Sequence, residues 1–210
     1  MVDKITGSDP IIDGRTARRN RNRDAVLDAM ITLARETDQE PAIEDIAAQA
    51  QVSYRSVYRY FDDRTDLTLA AIGRAMGEAW SVFDVADLGE GTLDERIPRF
   101  IEPRVAAYRK LAPLSRIMTR RSATESVAME HYDNVRAFLR DQLETQFAPE
   151  LAAAGRRERT LVIAALDVMF QFEALDFLGQ HDGMTDGAMS KVLERHVRAH
   201  LAAIQLSTTR

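Results

Sequence analysis

The chain reads as an all-α protein, with a small N-terminal helix-turn-helix head followed by a larger helical domain. Three observations predict this. Apolar residues recur at i, i+3, i+4 and i+7 along most of the chain. No stretch alternates apolar and polar residues as a half-buried strand would. Capping signatures, glycines and prolines divide the periodic stretches into ordinary helix lengths. The 210 residues, 45% hydrophobic and 29% charged, suffice for a small domain plus a larger one with a real core. We expect a flexible arginine-containing arm at 1–20, the helix-turn-helix at 21–68 and the larger domain at 69–210.

Composition narrows the function. With 0 cysteines the chain can build neither a disulfide framework nor a thiolate metal site. The N-terminal MVDKITGSDPIIDGRTARRNR lacks the apolar run of a secretory signal. The longest strongly apolar run, Leu161 to Leu166, is too short for a bilayer, so a cytoplasmic protein with no membrane partner is expected. The net charge is −5, yet Arg15 to Arg23 holds five arginines and no acid, and Ile46 to Phe61 holds two arginines and no acid. A mildly acidic body with two local positive patches suits an anionic partner touched at particular places.

The head follows in order. Val26, Ala29, Met30 and Leu33 form one helical stripe, and Ile43, Ile46, Ala47 and Ala50 form a second, shorter one. Pro41 suits a helix start. After Gln51-Val52, Ser53 is a natural N-cap for a third helix whose Val57 and Phe61 point inward. Asp62-Asp63 caps a longer helix from Arg64 to about Phe83. Two helices joined by a tight turn, the second polar outside, make a helix-turn-helix.

The stretch VSYRSVYRYF, residues 52–61, holds three of the five tyrosines. On a helix in the major groove Arg55 could fork to guanine, and Tyr54 and Ser56 could meet base edges. Tyr58 and Tyr60 could donate hydroxyls to phosphates, with charge from Arg59 and Arg64. The arm, with Arg18 and Arg19, could follow the backbone or enter the minor groove. Ser53 belongs to the same surface.

The run from Ile43 to Leu67 resembles the helix-turn-helix signature of the TetR family of transcriptional regulators. The matching features are Asp45-Ile46-Ala47, Ala50-x-Val52-Ser53, Tyr58-x-x-Phe61 and a base three residues on, before Leu67. The motif covers roughly residues 23–72. The resemblance implies that Tyr54, Arg55 and Ser56 touch bases while Tyr58, Tyr60 and Arg64 hold phosphates. It further implies a variable helical ligand domain whose last two helices form a dimeric four-helix bundle. Three positions depart from the pattern. Gln51 replaces the turn glycine and must adopt a left-handed conformation. Ala42 replaces a capping threonine, and Arg64 replaces a lysine.

In the larger domain Thr92-x-x-Glu95 is a capping box opening a helix towards Ala112. Pro98 and Pro103 should kink or break it, and Pro113 should start a short piece. Ser122-x-x-Glu125 reads as a second capping box, for a helix to about Phe147. The segment 156–180 is apolar nearly all round, so it lies either mid-bundle or against a second subunit. A last helix covers about 185–205. We expect a homodimer through 156–180 and 185–205, since a helix-turn-helix needs a partner to address a two-fold duplex site.

The expected partners are a double-stranded DNA operator and a small, largely apolar effector that releases a repressor from its pseudo-palindromic site. Trp80, Phe83, Phe100, Tyr108, Met118, Phe138, Met169 and Phe172 could wall a pocket, with His131, Asn134 and Gln171 as its polar groups. The alternative is a dimeric helical ligand-binding module with weakened or lost DNA binding. An enzyme has less to stand on. His196 and His200 share a helix face without an identifiable third ligand. Asp167, Glu173 and Asp176 read better as satisfied interface carboxylates. No nucleophile elbow, P-loop or dinucleotide motif occurs, so we assign no catalytic residue, metal or cofactor.

Overall fold

The computed structural model describes residues 14–83, 85 and 87–208, and the side chains of residues 76, 78–83, 131 and 205–208 fall outside it. Every regular element among the described residues is helical. The chain divides into two compact units, Met1–Ala71 and Ile72–Arg210.

The first unit holds α1 (Gly14–Thr37), α2 (Ile43–Gln49) and α3 (Tyr54–Tyr60), with the first turns of α4 (Arg64–Phe83). Helix α1 is buried along two stripes rather than one. Val26, Ala29 and Met30 form the expected stripe, and Leu27, Ile31 and Ala34 a second. Both α2 and α3 pack against α1, which accounts for the wider apolar arc. The expected arm is corrected in part, because α1 already begins at Gly14 and Arg15 to Asn20 are helical. Arginine and alanine are good helix formers, and a helix nucleated on its core-bound turns extends into them at little cost. Residues 1–13 of that arm lie outside the described residues.

The turn after α2 closes through Gln51 at φ 54°. The Gln51 amide donates to Ala48 O at 3.1 Å and the Val52 amide to Ala47 O at 3.0 Å. This is the double bond of a Schellman C-cap, with glutamine in the place that favours glycine. Ala42 gives α2 no side-chain cap, whereas Ser53 Oγ caps α3 by accepting from the Ser56 amide at 3.2 Å. Asp63 caps α4, accepting from the Asp66 amide at 2.8 Å, while Asp66 reaches back to the Asp62 amide at 3.0 Å.

The second unit contains α5 (Leu93–Ser122), α6 (Ser126–Gln146), α7 (Ala148–Ala152), α8 (Arg156–Phe170), α9 (Phe172–Asp176), a π-helical turn (Phe177–His181) and α10 (Asp186–Thr208). The Thr92–Glu95 capping box is formed in both directions. The expected break at Pro98 and Pro103, and the fresh start at Pro113, do not occur. All three prolines lie inside one 30-residue helix. Each removes a single amide donor, and a buried face running from Ile97 through Phe100, Ile101 and Tyr108 to Ile117 and Met118 holds the helix together across them.

Two further expectations are corrected. Ser122 does not cap α6, because it remains within α5 and its hydroxyl donates to Thr119 O at 2.9 Å. The helix expected over 156–180 is interrupted at Gln171, which is extended at ψ 152°. Gln171 Nε2 donates to Asp167 Oδ1, one turn back, at 2.7 Å. Gly73 and Gly77 have open space where a Cβ would stand.

The core of this unit forms where α5 meets α6, α8 and α10. Phe100 meets Phe147 edge-on at 5.3 Å and Phe170 at 5.1 Å. Met189, Leu193, Val197, Leu201 and Ile204 give α10 one buried stripe. Each such side chain contributes about 1.5–3 kcal/mol by leaving water. A polar node braces one end of the core. The Arg96 guanidinium, 3% exposed, pairs with Glu150 and donates to Gln146 O at 2.6 Å and Gly91 O at 3.2 Å.

Candidate nucleic-acid interface and bundle cavity

Position along α3 sorts its residues by geometry. Val57 and Tyr60, three apart, face the core, and Phe61 follows them inward. Tyr54, Arg55, Tyr58 and Arg59 are exposed. The Tyr54 and Tyr58 rings stand 5.2 Å apart, and the Tyr54 hydroxyl donates to the Tyr58 oxygen at 3.5 Å. That bond is the leading cause of the raised Tyr54 pKa. The Tyr54 phenol therefore stays protonated near neutrality, and the Tyr58 hydroxyl, which accepts in this bond, keeps its own O–H for an anionic oxygen. The Ser53 and Ser56 hydroxyls lie 2.8 Å apart and already serve the cap.

Tyr60 is mostly buried, yet it borders the open groove that Ser53, Ser56 and Arg59 share with α1. Its side chain is only 9% exposed, and its hydroxyl accepts from Arg59 Nη2 at 3.1 Å and from Asn22 Nδ2 at 3.4 Å. Burial pushes its pKa up, but these two donors and the charges of Arg59 and Arg19 outweigh burial and bring it below the ordinary tyrosine value. Its ring is a core group joining α3 to α1, while its hydroxyl, accepting from both donors, keeps its own O–H beside the groove lined by Arg15, Arg18, Arg19 and Arg59. The place of Tyr60 three residues after Val57 is what buries the ring.

Arg64 is likewise engaged within the head. Nη2 donates to Pro41 O at 2.6 Å, and Nε lies 3.2 Å from Glu40 Oε1. The side chain thus ties the start of α4 to the α1–α2 connection.

Arg18 and Arg19 are exposed on α1, and with Arg15 and Asn22 they line an open groove shared with Gln51, Ser53, Ser56 and Arg59. The helical start of α1 thus brings the arginine-rich segment beside α3. Sequence reasoning missed Arg15 and Asn22. The spacing Arg15, Arg18, Arg19 and Asn22 is itself i, i+3, i+4, i+7, which was the available signal.

The second unit holds a mostly apolar cavity of about 100 Å³. Of the residues expected in a pocket, Tyr108, Met118 and Phe172 line it. Phe100 is completely buried in the core beneath it. Asn134 is exposed, and Phe138 and Met169 are half-buried away from its lining, because the turn of each helix points them elsewhere. Gln171 is spent on Asp167. The side chains of Trp80, Phe83 and His131 lie outside the described residues.

Arg104, Ser115, Tyr132 and Phe170 complete the wall and were not foreseen. Arg104 was legible as a charge interrupting the apolar stripe between Phe100 and Tyr108. Tyr108 donates to Asp176 Oδ1 at 3.1 Å and Tyr132 to Glu173 Oε1 at 2.9 Å. Burial first, and then the adjoining carboxylate, pushes the Tyr108 pKa up to about 12. Burial also leads in raising Tyr132 to about 12, with Thr119 opposing and Glu173 assisting. Gly179 on the π-helical turn permits the approach of Tyr108, since a Cβ there would collide with the Tyr108 hydroxyl.

The carboxylates weighed as catalysts are paired. Asp167 meets Arg140 at 3.2 Å, Glu173 meets Arg136 at 2.7 Å and Asp176 meets Arg116 at 2.7 Å. His196 and His200 stack edge-on at 4.5 Å, with His196 Nε2 2.9 Å from Ala165 O. No group of three or more potential metal ligands occurs among the described residues. No described helix is long and apolar enough to cross a membrane.

Comparison with known proteins gives the head its relatives. The sequence profile of bacterial regulatory proteins of the tetR family matches residues 26–71. The HTH-type transcriptional repressor LfrR of Mycolicibacterium smegmatis is 35% identical over 88 residues, 41% of this chain and 46% of the repressor's length. The chain therefore matches about half of that relative.

The solved structures carry the likeness through the rest of the fold. A tetR-family transcriptional regulator from Streptomyces coelicolor superposes with a TM-score of 0.67 at 21% identity, over 90% of this chain and 82% of that one. A TetR-like regulator from Rhodococcus sp. RHA1 gives 0.56 at 19% identity, over 88% and 96%. The tetR-family profile thus matches the head, and the fold over about nine-tenths of the chain is that of these solved regulators.

Proposed function

We propose that this protein is a repressor that binds a pseudo-palindromic DNA operator as a homodimer and leaves it when a small, largely apolar molecule enters the second unit. The observation that carries the DNA half is the sorting of α3. Tyr54, Arg55, Tyr58 and Arg59 are exposed while Val57 and Tyr60 form the core. An exposed helix with a central arginine suits the major groove, where a guanidinium can fork to guanine. The arginines of α1 add backbone contacts beside it. LfrR, by its name a transcriptional repressor, supports the sign of the effect.

The pairing surface proposed is α8 with α10. Leu161 and Val168, seven apart on α8, are 57% and 62% exposed. In a helix otherwise rich in apolar residues, such a stripe needs a cover. Two half-sites on B-DNA lie about 34–36 Å apart, so a dimer whose heads change separation on ligand binding loses its match.

Selection of random duplexes by the purified protein tests the reading, with recovery of pseudo-palindromes as the expected result. No enrichment at low salt would favour a ligand-binding module without DNA recognition. On the recovered operator, Arg55→Ala should cost roughly 1–3 kcal/mol at particular base pairs, whereas Tyr58→Phe should weaken all sequences alike. An even loss across sequences for Arg55→Ala would remove its base-reading role.

A further inference from the structure

Helix α5 carries two buried arginines with opposite fates. Arg96 is paired with Glu150 and bonded to two carbonyls. Arg104, 4% exposed, has no carboxylate partner among the described residues. Its Nη1 donates to Phe100 O at 3.2 Å, its Nη2 donates to Gln142 Oε1 at 2.9 Å, and its Nε is buried without a partner. The guanidinium lies over the Phe100 ring at 3.4 Å. The nearby acids Asp167, Glu173 and Asp176 are each held by a different arginine.

An unpaired cation is costly to bury, and a guanidinium does not escape that cost by giving up its proton at neutral pH. Even with burial lowering its pKa to about 9, Arg104 remains charged. It forms part of the wall of the cavity, whose surroundings are otherwise mostly apolar. A buried charge with an unused donor beside an apolar space is a half-built recognition site.

We infer that this cavity takes a compact organic monoanion, whose carboxylate pairs with Arg104 and whose apolar body lies against Met118, Phe170 and Phe172. The inference rests on the reading of the cavity as the effector site and specifies the effector's chemistry. One guanidinium balances one negative charge, so a monocarboxylate is favoured over a dianion. The volume of about 100 Å³ suits roughly one ring or a short branched chain. A neutral ligand would leave the cation uncompensated, and a cationic ligand would be repelled by it.

The test titrates the full-length protein at pH 7.5 with benzoate and hexanoate, and with benzamide and hexanamide, which match them in shape without the charge. Benzylamine serves as the cationic probe, and chloride and phosphate as simple anions. Calorimetry and thermal shift should find each carboxylate binding at least tenfold more tightly than its amide, with benzylamine weakest. Arg104→Met should erase that preference while still binding the amides. Should Arg104→Met fail to fold, the carboxylate-to-amide ratio on the unaltered protein decides alone.

Equal binding of acid and amide, protection by phosphate or chloride as strong as by benzoate, or no carboxylate binding at millimolar concentration would each overturn the inference. Operator release is measured separately. Carboxylates that bind without releasing DNA would support the site and sink the effector reading. Release by amides with no charge preference would do the reverse.

Discussion

Replacing Arg64 separates two accounts of one residue. If it held a phosphate, Arg64→Ala would weaken all DNA sequences equally and leave the free protein as stable as before. The structure instead gives Arg64 two internal partners, Pro41 O at 2.6 Å and Glu40 Oε1 at 3.2 Å. A hydrogen bond from a charged donor is worth about 1.5–3 kcal/mol, and an exposed ion pair about 0–1. The Arg64 and Glu40 side chains are 42% and 29% exposed, so solvent screens both interactions and the low end applies. Arg64→Ala should therefore destabilise the head by about 1–2 kcal/mol.

Arg64→Lys supplies the control, since it keeps the charge but loses the fork that serves both partners at once. Urea melts followed by circular dichroism give the stability, and gel shifts well below the melting midpoint give affinity. The tether predicts that both variants lose stability and that affinity at low temperature falls little. Unchanged melts with a uniform affinity loss in Arg64→Ala, rescued by lysine, would refute it.

Two further outcomes follow from the geometry. Gln51→Gly should stabilise the head by about 0.5–1 kcal/mol in the same melts, because glycine adopts the φ 54° conformation without the cost to a side-chain-bearing residue; an unchanged midpoint would mean the turn is unstrained. The His200 pKa lies below the ordinary 6.5, through burial first and then the neighbouring His196. The folded state thus favours the neutral ring, so this contribution to stability is complete above pH 6.5 and is lost as pH falls through the lowered value. Between pH 7.5 and 5.5 the melting temperature should drop further in the unaltered protein than in His200→Gln, and equal drops would contradict this.

What could be read beforehand was what depends on neighbouring residues. The Thr92–Glu95 box and the Ser53 cap follow from a few adjacent positions, the uncapped Ala42 and the left-handed Gln51 from the family resemblance, and the structure has each of them. What could not be read needed partners distant in sequence. Arg64 carries the charge that the resemblance assigns to a phosphate, but only the fold brings Glu40 and Pro41 to it. Pro98, Pro103 and Pro113 favour breaks locally, and the buried face of α5 overrides them. The burial of the Tyr60 ring follows from its distance from Val57. In the pocket, aromatic residues were too common in the core to be told apart. The informative residue was the misplaced charge of Arg104.

How an acidic protein could serve the DNA role proposed for it depends on where its cations are spent. In the second unit Arg96, Arg109, Arg116, Arg136, Arg140 and Arg198 each meet a carboxylate of that unit. They cancel charge locally and add little field outside. On the head, Arg15, Arg18, Arg19, Arg55 and Arg59 are all exposed. Arg21 and Arg35 are exposed too, but only the first five line the grooves beside α3, so contact confined to those grooves neutralises at most ten phosphates in a dimer. The logarithm of the binding constant falls with the logarithm of salt by about 0.9 per neutralised phosphate, so the slope should be no steeper than about −9. Converting Arg18 and Arg19 together to alanine should flatten it by up to about 4 if both meet phosphates in each protomer. An unchanged slope would detach α1 from the duplex and leave α3 to bind alone, whereas a steeper slope would require cations outside the grooves, such as Arg21 or Arg35.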